Sequence, residues 1–141
     1  IIVRIDPQGA REICLDVCRS PDAAEYTSIR FLQEGYLQRG SFETPHYEHA
    51  LTLDPRRSSL LPDVLARPPE VVPFDLAKGE LLELRVFVDR SVVETFVNNT
   101  QCVATRVYPD REDSVGVSLR SQGASSELIS LDAWQMENIY A

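Results

Sequence analysis

No stretch of the 141-residue chain approaches the roughly 18 consecutive apolar residues of a membrane-spanning helix. Basic residues are scarce: 14 Lys and Arg stand against 22 Asp and Glu, a formal net charge of −8. Beyond Arg56-Arg57 there is no Lys/Arg cluster, so the basic face that would neutralise nucleic-acid phosphates is missing. An anionic membrane surface is an equally poor partner. The acidity reads chiefly as solubility. Glycine is sparse and scattered, at Gly9, Gly35, Gly40, Gly79, Gly116 and Gly123, which leaves no loop to cradle a phosphate. Cysteine is limited to Cys14, Cys18 and Cys102, too few for a disulfide framework. On one strand, Cys14 and Cys18 would share a face about 13 Å apart, too far to bridge, so free thiols packed as small apolar groups are expected. The chain starts at Ile1 without a charged-then-apolar leader. It reads as a mature or excised piece whose compartment, secreted or cytoplasmic, stays open.

Helical patterning is missing as well: no run of a dozen residues carries a 3.6-residue apolar stripe. The prevailing period is two. Ile13, Leu15 and Val17 alternate with Cys14, Asp16 and Cys18; Thr27, Ile29 and Phe31 alternate with Ser28 and Arg30. The same pattern recurs at His49–Leu53, Leu82–Val88 and Val115–Leu119. Half-buried antiparallel strands have this signature. Turn residues separate them at Asp6-Pro7-Gln8-Gly9, Ser20-Pro21-Asp22, Asp89-Arg90-Ser91, Asn98-Asn99 and Pro109-Asp110. The fold expected is all-β, a two-sheet antiparallel β-sandwich of jelly-roll or lectin-like type. Residues 1–141 read as one domain with no linker.

Leu81–Asp89, Ser91–Val97 and Gln101–Val107 predict three consecutive strands. Asn98-Asn99 forms the last hairpin loop, where Asn tolerates the left-handed backbone of a type I′ turn. Arg56 to Lys78, with Pro62, Pro68, Pro69 and Pro73, reads as a long connection between sheets.

Few constellations could carry chemistry. His46 and His49 lie near Glu43 and Glu48, but no second cluster completes a metal site, and surface polarity before a strand is the better reading. There is no Gly-x-Ser-x-Gly elbow for a nucleophile. Asp89 and Glu94 are five apart across a tight turn, a spacing that could suit paired-carboxylate glycoside hydrolysis. Arg85, Arg90 and Arg106 are close in the same meander, so a structural carboxylate–arginine network pinning strand register is expected instead. Asp6-Pro7 and Asp54-Pro55 read as turns in which Asp bonds its own backbone. Asn98-Asn99-Thr100 is a glycosylation sequon in a context where turn chemistry is the plainer use. Among the aromatics, Tyr36 and Tyr47 sit in polar surroundings and are candidate stacking platforms for a sugar, with Trp134. Trp134 is expected chiefly as a core plug in a last strand, Leu131–Met136.

The run Leu84-Arg85-Val86-Phe87-Val88-Asp89-Arg90-Ser91-Val92-Val93-Glu94-Thr95-Phe96-Val97-Asn98 resembles the hallmark segment of the C-terminal β-sandwich module of glycoside hydrolase family 32. Leu53–Ser59, Arg106-Val107-Tyr108-Pro109 and Leu131–Met136 resemble further pieces of that module, so the likeness runs from about Arg11 to the end. The family comprises invertases, levanases, inulinases and other β-fructosidases. The resemblance implies an N-terminal five-bladed propeller as partner and as bearer of the catalytic acids, in Trp-x-Asn-Asp-Pro, Arg-Asp-Pro and Glu-Cys motifs. None occurs here: Ile5-Asp6-Pro7 imitates the first, with Ile5 where Asn is required and no Trp upstream. It therefore implies a non-catalytic module without cofactor or metal. Such a module would stabilise the propeller and could contribute to a homodimer or to fructan contact. Asp89, Arg90 and Glu94 match the module's signature as architectural residues. An independent carbohydrate-binding module using Tyr36, Tyr47 or Trp134 is the rival reading.

Overall fold

The computed structural model describes residues 1–33 and 49–137. Among them run ten strands and no helix: β1 (Ile2–Asp6), β2 (Glu12–Arg19), β3 (Thr27–Leu32), β4 (Ala50–Asp54), β5 (Glu70–Pro73), β6 (Leu82–Asp89), β7 (Val92–Val97), β8 (Gln101–Arg106), β9 (Gly116–Gln122) and β10 (Glu127–Asp132). They form two five-stranded sheets, β10-β1-β6-β7-β8 and β5-β4-β3-β2-β9, and every strand pair is antiparallel. This is the expected all-β sandwich.

Alternation builds the core. Val3 and Ile5, then Leu82, Leu84 and Val86, then Val93 and Val97 point inward from the first sheet. Ile13 and Leu15, Ile29 and Phe31, and Leu51 and Leu53 point inward from the second. All belong to one apolar cluster. At roughly 1.5–3 kcal/mol per fully buried large aliphatic or Phe side chain, this layer is the main stabilising term.

The meander matches its sequence reading closely. Asn98 and Asn99 both take left-handed backbone, with φ of 46° and 54°, as a type I′ turn requires. Arg90, also left-handed, turns β6 into β7. Asp6 and Asp54 cap their own turns: each Oδ1 accepts the N–H two residues on, from Gln8 and Arg56.

Three expectations need correction. The stretch Arg56–Lys78 does carry the chain from one sheet to the other, yet it contains β5. Pro73, the last residue of β5, is tolerated because β5 is an edge strand, where a missing N–H breaks no ladder bond on the open side, and Pro62, Pro68 and Pro69 lie in the loop before it. The strand at Ile2–Asp6 was not anticipated, although Val3 and Ile5 alternate with Arg4 and Asp6. Cys14 and Cys18 do not share a face. The register of β2 against β9 shifts between Asp16 and Arg19, and Cys18 has φ of 48°. This bulge turns Cys18 against the core, while Cys14 stays on the outer face beside Asp16. Gly116 opposite the bulge is required: a Cβ there would lie 2.8 Å from the Arg19 carbonyl oxygen. All three cysteines are free thiols.

Candidate functional site

Strand alternation decides where the signature residues lie. Val93, Thr95 and Val97 of β7 face the core, so Glu94 faces out, between Phe87 and Ala104 in the ladder. Glu94, Asp89 and Arg90 are all exposed. The expected network is not formed: among the described residues no ion pair joins Asp89 or Glu94 to Arg85, Arg90 or Arg106. Arg85 turns instead to Glu83 at 3.4 Å, and Arg4 binds the same carboxylate at 2.7 Å. Burial, and then the Glu94 carboxylate, raises the Cys102 thiol above its ordinary value.

The buried carboxylates lie elsewhere, and sequence reasoning missed them. Glu25 is fully buried. It accepts hydrogen bonds from the N–H groups of Leu60 (3.1 Å), Asp110 (2.7 Å) and Arg111 (3.2 Å) and from the Ser114 hydroxyl (2.5 Å). One side chain thus ties together three loops at one end of the sandwich. Burial pushes its carboxyl up, but those four donors outweigh burial and hold it below the ordinary value. At the rim of this end Arg111 bridges Asp22 and Asp113. The Ser20 hydroxyl, the Ala24 N–H and Arg111 hold Asp22 down at about 2.

Asp16 is the second buried acid. It accepts from Ser28 (2.6 Å), Ser118 (3.1 Å), the Cys14 thiol (3.3 Å) and Arg120. Burial again opposes ionisation and the hydrogen bonds again prevail, keeping it low. The same burial, reinforced by the Asp16 charge, pushes the Cys14 thiol up to about 12.

Trp134 does not plug the sandwich. β10 ends at Asp132, and Trp134 follows it as a residue 61% exposed. The physical reason is the edge position of β10. Leu131 and Leu128 lie opposite buried Val3 and Ile5, so they continue the core-side rows. Yet they are 41% and 50% exposed, because those rows run off the sheet edge. Val115 and Val117 on the facing edge strand and its lead-in are exposed too. An apolar strip therefore borders the β9/β10 side. Single exposed aliphatics are common; a contiguous set marks a contact surface.

The remaining candidates are quickly placed. Tyr36, Tyr47 and His46 lie outside the described residues. His49 accepts the Leu76 N–H on Nδ1 and stacks near Phe31, with ring centroids 5.6 Å apart. Among the described residues no group of acids, histidines and cysteines is arranged to hold a metal. The Asn98 amide donates to Glu80 Oε1 and to the Leu81 carbonyl, both at 2.9 Å, so the nitrogen of the sequon is engaged in holding the turn.

The two acids buried deepest, Glu25 and Asp16, are held in structural bonds, and the β9/β10 edge exposes apolar side chains, which fits a β-sandwich module whose carboxylates serve the fold. The chain belongs to the family described as "Glycosyl hydrolases family 32 C terminal", whose profile matches residues 1–135. It is 32% identical over 141 residues to a fructan 1-exohydrolase of Leymus chinensis, covering 92% of this chain and 22% of that protein. A shorter stretch of 70 residues is 37% identical to a beta-fructofuranosidase, insoluble isoenzyme 3, of Oryza sativa subsp. indica, covering 47% of this chain and 12% of that one. Its fold is similar to part of the exo-inulinase of Aspergillus awamori, with a TM-score of 0.67 at 20% identity over 90% of this chain and 22% of that one. The fructan 1-exohydrolase IIa of Cichorium intybus follows at 0.62, also at 20% identity, over 81% and 21%. The chain thus spans about a fifth of the length of the relatives it matches.

Proposed function

We propose that residues 1–141 form one non-catalytic accessory module of a β-fructofuranosidase-type glycoside hydrolase. It stabilises an N-terminal catalytic propeller by docking along the β9/β10 edge. The apolar strip of Leu128, Leu131, Trp134 and Val117 carries this reading. Its place in the fold supports it: Ile2 pairs with Asp132, so chain upstream of Ile1 in a parent of the relatives' length would emerge beside Trp134. Aliphatic neighbours suit a protein partner better than a sugar, which needs polar groups around its ring. The parent is read as cleaving sucrose or fructan.

A paired substitution tests the docking. Leu131→Asp with Trp134→Asp should leave the melting temperature of the 141-residue chain within a few degrees, since both side chains already meet water. In the parent enzyme the same pair should lower the melting temperature several times further and reduce folded yield. Equal effects in both contexts would refute the docking face. A parent without the Trp-x-Asn-Asp-Pro, Arg-Asp-Pro and Glu-Cys motifs upstream would refute the β-fructosidase reading itself.

A further inference from the structure

The outer face of the second sheet carries a groove that no structural bond explains. Strand register lines up Arg30, Thr52 and Val71 in one row across β3, β4 and β5, and Ser28 with Asp54 in the next. A depression of about 270 Å³ between Tyr26, Arg57 and Arg30 shares Arg30, Asp54 and Arg56 with a second, of about 370 Å³, floored by Leu32, Pro69 and Val71. Together they make one continuous cleft with an apolar floor and a guanidinium wall.

The wall is pre-organised. Arg56 donates from Nε (2.9 Å) and Nη2 (2.6 Å) to the two oxygens of Asp54, and among the described residues its Nη1 makes no hydrogen bond. Arg57 is held over the Tyr26 ring, 5.1 Å from its centroid. Arg30 is the anomaly. Its guanidinium makes no hydrogen bond among the described residues: Glu12 is 3.7 Å away and Asp54 3.9 Å, and its Nε is buried without a partner there. Unspent donors on a fixed wall opposite apolar floor residues suit a ligand with C–H faces and many hydroxyls.

Resting on the module's assignment to a fructan-cleaving parent, we propose that this cleft binds a neutral fructan segment. Hydroxyls would bond Arg30, Arg56 and Asp54, and the furanose C–H faces would lie on Val71, Pro69 and the Tyr26 edge. The module would then hold polymer at a place of its own on the enzyme surface. Three arginines beside one carboxylate could instead attract an inorganic anion, and the test separates the two.

Amide chemical shifts of the 141-residue chain would be followed during titration with 1-kestose, maltotriose and sodium sulfate. The expected result is a saturable shift with 1-kestose at Arg30, Thr52, Asp54, Arg56 and Val71, with a Kd of order 1 mM. Arg30→Ala and Arg56→Ala should each weaken it about tenfold, the loss of one good hydrogen-bonding guanidinium, while melting temperatures certify the fold. Shifts with sulfate alone, shifts confined to the β9/β10 edge, or unchanged affinity in both variants would overturn the proposal. Binding of maltotriose but not 1-kestose would overturn the fructan assignment and count against the parental reading. A parent that cleaves fructan while this cleft ignores 1-kestose would overturn the cleft alone.

Discussion

The loop end around Glu25 and the outer face around Glu94 put the same side chain to opposite uses. Glu25 is sealed from water and accepts four hydrogen bonds from two neighbouring loops. Glu94 stands in solvent on β7 with no ion pair to the arginines near it in sequence. Proximity along the chain is therefore a poor guide to an acid's role. What decides it is how many donors the fold delivers once water is gone, because an unpaired buried donor costs far more than an exposed pair contributes.

Glu25→Ala breaks the comparison at its stronger pole and has the largest expected effect. Three backbone N–H groups and the Ser114 hydroxyl would lose their acceptor in a buried site. At about 1–3 kcal/mol for each uncompensated group, and with some relief as loops loosen and Ser114 rotates, the loss should be roughly 3–5 kcal/mol. Urea unfolding measures it. Glu25→Gln keeps one acceptor oxygen but turns an amide NH₂ toward the donors, and should lose about 2 kcal/mol. A loss below about 1 kcal/mol in the Ala variant would mean that the loops hold without the clamp.

Acid sharpens the same contrast. Glu25 and Asp16 are both held below their ordinary values of 4.5 and 3.8 in the folded chain. Their stabilisation is therefore present above those values and lost as pH falls through the lower folded ones. The unfolding free energy should decline once pH drops below about 4.5. Glu25→Gln should flatten that decline relative to the unsubstituted chain. Denaturation midpoints between neutral pH and strong acid would show whether the two curves separate.

Local spacing made the meander legible: turn residues two apart, with alternation on both sides, place β6, β7 and β8 within a residue or two. Long-range assembly was not legible. Glu25's partners lie 35 to 89 residues away, so nothing near Glu25 in sequence announces the clamp. β5 is hidden by the prolines just before it and by Pro73 within it, which an edge position makes acceptable. Trp134 looked like core because apolar strand residues precede it, but β10 lies at an edge where core-side positions go uncovered. The groove exists only through the register of three strands, two of them separated in sequence by the chain from Asp54 to Glu70.

Glu94→Ala has the smallest expected effect and tests the weaker pole. The signature pattern suggested a carboxylate pinning register, which would make its removal costly. The exposed geometry removes that cost, because no guanidinium is left buried and unpaired when Glu94 goes. What remains is a modest loss of strand propensity, set against relief of one negative charge in a chain of net −8. The two nearly cancel, so stability should stay within about 0.5 kcal/mol of the parent sequence in urea unfolding. A loss above about 1 kcal/mol would show that Glu94 has a partner in solution. A double-mutant cycle with Arg85→Ala or Arg106→Ala would then identify it, through a coupling energy where the geometry here predicts none.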